Sequence, residues 1–70
     1  MPVVKVIELI GNSPEGWEEA VRSAVREAAK TVRNIVGVEV VGMTAKVRDG
    51  DIVEYRANVK IAFVVEEERG

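Results

Sequence analysis

Apolar and polar residues alternate with two different periods along the chain, and the change of period divides it into four stretches. Val3 to Ile10 reads VVKVIELI, a strand pattern in which Val3, Ile7 and Leu9 fall on one side and Val4, Val6 and Ile10 on the other. Only Lys5 and Glu8 interrupt it, so both faces are largely apolar. Gly11 and Asn12 are expected to turn the chain. From Pro14 to about Asn34 the period becomes helical: Trp17, Val21, Ala24, Ala28, Thr31 and Ile35 recur at steps of three and four, widened by Ala20, Val25 and Val32. Ser13 is the expected N-cap, Pro14 the first helical residue and Gly37 the left-handed stop. Glu15, Glu18 and Glu19 near the start, with Lys30 and Arg33 near the end, complement the helix dipole. The pairs Glu18–Arg22 and Glu27–Lys30 add about 0.2–0.5 kcal/mol each on the wet side.

A second strand is predicted from Val38 to about Arg48 and a third from Asp51 to about Val65, joined by Asp49 and Gly50. Asp-Gly between two apolar alternating runs signals a hairpin, because both central residues must tolerate positive φ. The third strand alternates cleanly, with Val53, Tyr55, Ala57, Val59, Ile61, Phe63 and Val65 toward the helix and Glu54, Arg56, Asn58 and Lys60 away from it. The second strand does not keep one phase: Val38 and Val40 stand on one parity, and Val41, Met43, Ala45 and Val47 on the other. A bulge at Val41 or Gly42 would restore a single buried face. The residues from Glu66 to Gly70 form a charged tail, expected to be mobile.

The fold class that follows is α+β, a β-α-β-β chain whose three-stranded antiparallel sheet has strand order 1-3-2 and packs one helix on one face. Residues 1–70 are expected to form one domain. A single core in so short a chain supplies about 3–5 kcal/mol. The sequence has no cysteine for disulfides and neither histidine nor cysteine for a zinc staple, which leaves self-association as the expected source of further stability. The two-faced first strand agrees, because a lone helix covers only one side of a sheet. Unpaired apolar edges point the same way.

Ten basic and twelve acidic residues give a net charge of −2 without clustering, which disfavours nucleic-acid binding. No apolar run approaches a membrane span and no signal-peptide pattern opens the chain, so a soluble cytoplasmic protein without a membrane role is expected. Without histidine or cysteine and with few hydroxyls, nucleophilic triads and soft-metal sites are excluded, and no catalytic residue is assigned. The carboxylates sit where solvation explains them, in the helix start, the hairpin tip and the tail. Asp49 and Asp51 flanking Gly50 are too few for calcium and fit turn chemistry better. Gly11 before Ser13 is too little to define a phosphate loop. Trp17 fits a core or interface anchor better than a ligand platform. Arg56, beside Glu54, Asn58 and Lys60, suits an anion or phosphate and equally an inter-subunit ion pair.

The run from Lys5 to Pro14, KVIELIGNSP, the helix with Ala20 and Ala28, Val38-Glu39-Val40, and the segment from Tyr55 to Phe63, YRANVKIAF, together resemble the dodecin family over nearly the whole chain. The resemblance implies a sheet wrapped around one helix and a hollow homododecamer of cubic symmetry, a small-molecule binding or storage protein rather than an enzyme. Flavin-binding members stack the isoalloxazine ring on a tryptophan just after the helix and hold its polar edge with a glutamine on the last strand. The corresponding positions are Gly37 and Arg56, and two positions where some members carry phosphate-binding arginines correspond to Thr44 and Val64. Gly37 offers no stacking surface. The branch named calcium dodecin also lacks that tryptophan and shares Ser13, Pro14, Trp17 and Glu18 with the Tyr55-Arg56 pair; the resemblance assigns its calcium ligands to no particular residues of this sequence. The resemblance thus leaves FMN or riboflavin at an altered site, or a calcium ion, as the cofactors to consider, with the metal ligands unassigned. A shell for small molecules or ions that does not use the stacking site is the leading expectation. A flavin storage or sequestration protein with a modified site is the alternative.

Overall fold

The computed structural model describes residues 3–65. Four elements follow one another: β1 (Val3–Ser13), α1 (Trp17–Ala29), β2 (Ile35–Arg48) and β3 (Asp51–Val65). They build one antiparallel sheet in the order β1-β3-β2, with α1 on one face, the expected α+β arrangement. The expected charged tail lies outside the described residues. The β2–β3 turn uses Asp49 and Gly50 at φ 53° and 82°, the two positive values a tight primed turn requires.

The phase change in β2 occurs where the alternation demands it. Val40 pairs with Val59 and Gly42 with Asn58, so Val41 is the extra residue of a bulge. The rows Val38–Ile61, Val40–Val59, Met43–Ala57 and Ala45–Tyr55 then share one face. Two further shifts, between Ile35 and Gly37 and between Lys46 and Val47, flank it.

The helix is shorter than its periodicity suggests. Ser13 does not cap it: it ends β1 opposite Tyr55, and its Oγ accepts from the Glu15 N–H at 3.0 Å in a local turn. Pro14 lies before the first helical residue, and the N-cap position falls to Gly16, which makes no side-chain cap bond. At the other end, α1 stops at Ala29, and the N–H groups of Lys30 and Thr31 bond three residues back, to Glu27 and Ala28. Thr31 and Val32 are β-branched and extend a helix poorly. Asn34, at φ 63°, supplies the left-handed residue expected of Gly37, which instead belongs to β2 opposite Ala62. Thr31 and Ile35 therefore leave the helical stripe, and β2 begins three residues earlier than its pattern indicated.

Gly11 is likewise not a turn. It is a buried residue of β1, and a Cβ there would collide with the Ala20 carbonyl oxygen and stand 3.0 Å from the Ala24 Cβ. The helix thus rests on the β1 backbone itself. The core is built from small and β-branched residues, with Ala20, Ala24 and Ala28 packed on Ala57, Val59 and Ile61, flanked by Ile7, Leu9, Val21, Val25 and Ile35.

The shape is far from spherical. The radius of gyration is 14.7 Å, whereas a compact chain of this length would have about 11 Å. The cause is the hairpin: β3 runs for fifteen residues, about 50 Å, against thirteen in α1, about 20 Å.

Candidate functional site

Gly37, Thr44, Arg56 and Val64 map onto the sheet face opposite the helix. Register sets its rows: Val6–Ala62–Gly37, then Glu8–Lys60–Glu39, Ile10–Asn58–Gly42, and Asn12–Arg56–Thr44. An apolar end thus gives way to a belt of charge and then to a polar end near the hairpin. Lys60 stands between two glutamates on neighbouring strands, an arrangement that favours opposite charges side by side.

Gly37 opens a shallow cleft of about 440 Å³ lined by Val6, Val38, Glu39, Lys60 and Ala62. A Cβ at Gly37 would meet nothing within 4 Å, so the backbone needs no glycine there for space. What glycine does is leave the cleft floor flat and without a ring for stacking. Val64, opposite Val4 and one row beyond Ala62 on the same face, belongs to this apolar end.

Arg56 and Thr44 are brought together as direct cross-strand partners. They are not brought to Gly37: Ala62, its partner, lies six residues from Arg56 along β3, about 20 Å. Arg56 Nη2 donates to Glu54 Oε1 at 3.2 Å, an ion pair within the chain on a half-exposed surface. The Thr44 carbonyl is occupied as well, since Trp17 Nε1–H donates to it at 2.8 Å. Trp17 also meets the Tyr55 ring edge to face, centroids 4.8 Å apart. These two contacts tie the helix start to β2 and β3, so Trp17 acts as an anchor.

Asn58 was not singled out by the sequence reading. Its Oδ1 is buried without a hydrogen-bond partner, in the row between Ile10 and Gly42. An orphaned amide oxygen of this kind is costly unless something outside the chain meets it. The available signal was its residue type, since asparagine is depleted in strand interiors. Among the described residues, no group of three or more Asp, Glu, His or Cys side chains gathers as a metal cluster. Asp49 and Asp51 belong to the hairpin tip, where positive φ at Asp49 accounts for the residue type. Among those residues, too, no helix is long and apolar enough to cross a membrane.

Comparison with known proteins gives a consistent result. The family model described as Dodecin matches residues 3–66. The chain is 34% identical over 65 residues to dodecin of Thermus thermophilus, covering 93% of this chain and 94% of that protein. It is 35% identical over 63 residues to calcium dodecin of Mycobacterium tuberculosis, covering 90% and 89%. Among solved structures, dodecin of Streptomyces coelicolor superposes with a TM-score of 0.92 at 33% identity, covering 96% of each chain. A crystal structure of the M. tuberculosis protein, described as calcium chelating and as having a calcium-binding site, superposes at 0.80 and 33% identity, covering 97% of each. Sequence, strand order and superposition agree over nearly the full length, and the chain belongs to the dodecin family.

Proposed function

We propose that the protein is a self-assembling shell, a homododecamer in the manner implied by its family, that binds or stores a small molecule or ion without the flavin-stacking contact. The observation that carries this reading is Gly37: the family's stacking position presents bare backbone on an open cleft, some 20 Å from its companion residues Arg56 and Thr44. One copy therefore holds no complete flavin site.

Assembly is supported by the balance of apolar surface. Six hydrophobic residues are buried, whereas twelve large apolar side chains are exposed among the described residues. Surface of that extent belongs to interfaces. A calcium ion, suggested by the calcium dodecin relative, does not fit a single copy, because calcium takes about six to eight oxygens and no acidic cluster forms among the described residues. Oxygens from several copies on a symmetry axis would be needed. Catalysis is not part of this reading, since no nucleophile, base and acid converge among the described residues.

Native mass spectrometry of freshly purified protein, with an absorption spectrum, tests it. Twelve copies without flavin mass or colour are expected, and stoichiometric flavin retained through purification would sink it. The second reading, a flavin or related phosphate-bearing ligand held by Arg56 and backbone, is favoured by the side-by-side placement of Arg56 and Thr44. It requires quenching of riboflavin or FMN fluorescence at micromolar protein, weakened by Arg56→Ala.

A further inference from the structure

The cleft at Gly37 has a chemical character of its own, set by the residues that register gathers around it. Its floor is the row Val6–Ala62–Gly37, about 10 Å across three strands. The floor is apolar, and it is low because alanine and glycine fill two of the three places. Its volume, about 440 Å³, falls in the range of small-molecule sites, about 300–1,000 Å³. Neither a positive φ nor a crowding neighbour calls for glycine at position 37. Glycine inside a strand costs stability, and it suits a place where something approaches the backbone closely.

The rim carries the charge. One row away, about 7 Å, stand Glu8, Lys60 and Glu39, of which Lys60 and Glu39 line the cleft directly. Two carboxylates against one ammonium leave one negative charge in excess, and no ion pair joins any two of the three. The next cation along this face of β3, Arg56, is about 20 Å from the floor and is engaged by Glu54. A phosphate laid over the floor would therefore meet a rim of its own sign, whereas a cation would meet the opposite one.

We propose that the Gly37 cleft takes a flat, apolar organic cation, its ring body resting on Val6, Ala62 and Gly37 and its protonated nitrogen directed to the carboxylates of Glu39 and Glu8. This rests on the small-molecule shell proposed above and names the chemical class of its ligand. The width of the floor suits a fused two- or three-ring body, and a larger side chain at position 37 would stand where that body lies. Lys60 sets the selectivity. By cancelling one of the two carboxylates it keeps the rim too weakly acidic for a bare divalent ion, which takes about six oxygens, and leaves the apolar floor to supply the rest of the attraction.

Proflavine, a flat tricyclic cation, would be titrated by fluorescence into the assembled protein, with riboflavin and FMN as neutral and anionic counterparts of similar ring outline. Native mass spectrometry of each sample would report the subunit number. Proflavine is expected to bind about ten-fold or more tightly than either flavin. Glu39→Gln should weaken it by about ten-fold or more, Lys60→Gln should tighten it, and Gly37→Leu should abolish it. A general apolar surface would not give shifts of opposite sign for Glu39→Gln and Lys60→Gln, and those two variants decide the matter if Gly37→Leu fails to assemble. Assembled protein that binds no proflavine, that prefers a flavin, or that is indifferent to Glu39→Gln overturns the cationic ligand and leaves the shell standing. Proflavine retained by assembled Gly37→Leu overturns the cleft as its place. Wild-type subunits that do not assemble overturn the shell itself.

Discussion

The two faces of the sheet are made from the same three strands and are comparably apolar at their ends, yet they have opposite fates. On the helical face, Ala57, Val59 and Ile61 are sealed under Ala20, Ala24 and Ala28. On the other, Val4, Val6 and Ile10 stand open at 56%, 52% and 63% exposure. Hydrophobicity alone therefore does not decide burial within one chain; what decides it is whether the chain has an element left to cover the face. A chain with one helix has none left for the second face, and the apolar residues there are explained by what lies outside it.

Substitutions separate the two faces by their effect on the chain's own stability. Gly11→Val should be the most severe, because its side chain would collide with the Ala20 carbonyl and push the helix off the sheet. A cost of about 3 kcal/mol or more is comparable to the whole stability of so small a core, and circular dichroism should show no cooperative melt. Ile61→Ala, at a fully buried position, should cost about 2–5 kcal/mol in denaturant titrations at fixed protein concentration. Trp17→Phe keeps the ring but leaves the Thr44 carbonyl without its donor, a loss of about 1 kcal/mol by the same titration.

On the open face the outcome should be reversed. Val6→Glu is expected to change the isolated chain by no more than about 0.5 kcal/mol and to keep the helical circular-dichroism signal, yet native mass spectrometry should show dissociated subunits. If Val6→Glu instead unfolds the chain while subunits stay together, the distinction between the faces fails. Arg22→Ala, which removes exposed pairs with Glu18 and Glu19, should have the smallest effect, about 0.2–0.5 kcal/mol in the same titrations.

Much of this was legible from alternation. The order of elements, the Asp49–Gly50 turn and the bulge before Gly42 each follow from a local rule acting over a few residues, and each appears in the structure. The helix ends were not legible, because tertiary pairing overrode local preference there. Ser13 and Pro14 are good helix openers, but pairing with Tyr55 and Arg56 holds Ser13 and Asn12 in the sheet. Gly11 shows a different limit: a glycine at a turn and a glycine under a helix look alike until the helix is in place.

The candidate site divided in the same way. That Arg56 and Thr44 share a face is readable from strand phase, but their being paired depends on a register that passes through a bulge. That Gly37 lies at the far end of the face depends on the same register. Asn58 carried only its residue type as a clue.

The bulge at Val41 also determines how β2 tolerates a change in length. Its neighbours Val40 and Gly42 already oppose consecutive residues of β3, Val59 and Asn58. Deleting Val41 would therefore leave each of the neighbouring cross-strand pairs with its present partner and remove only the local bend. Deleting Val38, by contrast, would invert the facing of the residues before it unless the bulge were given up in exchange. Val41 is thus a spare residue in the strand, and β2 can lose it and keep its reading frame.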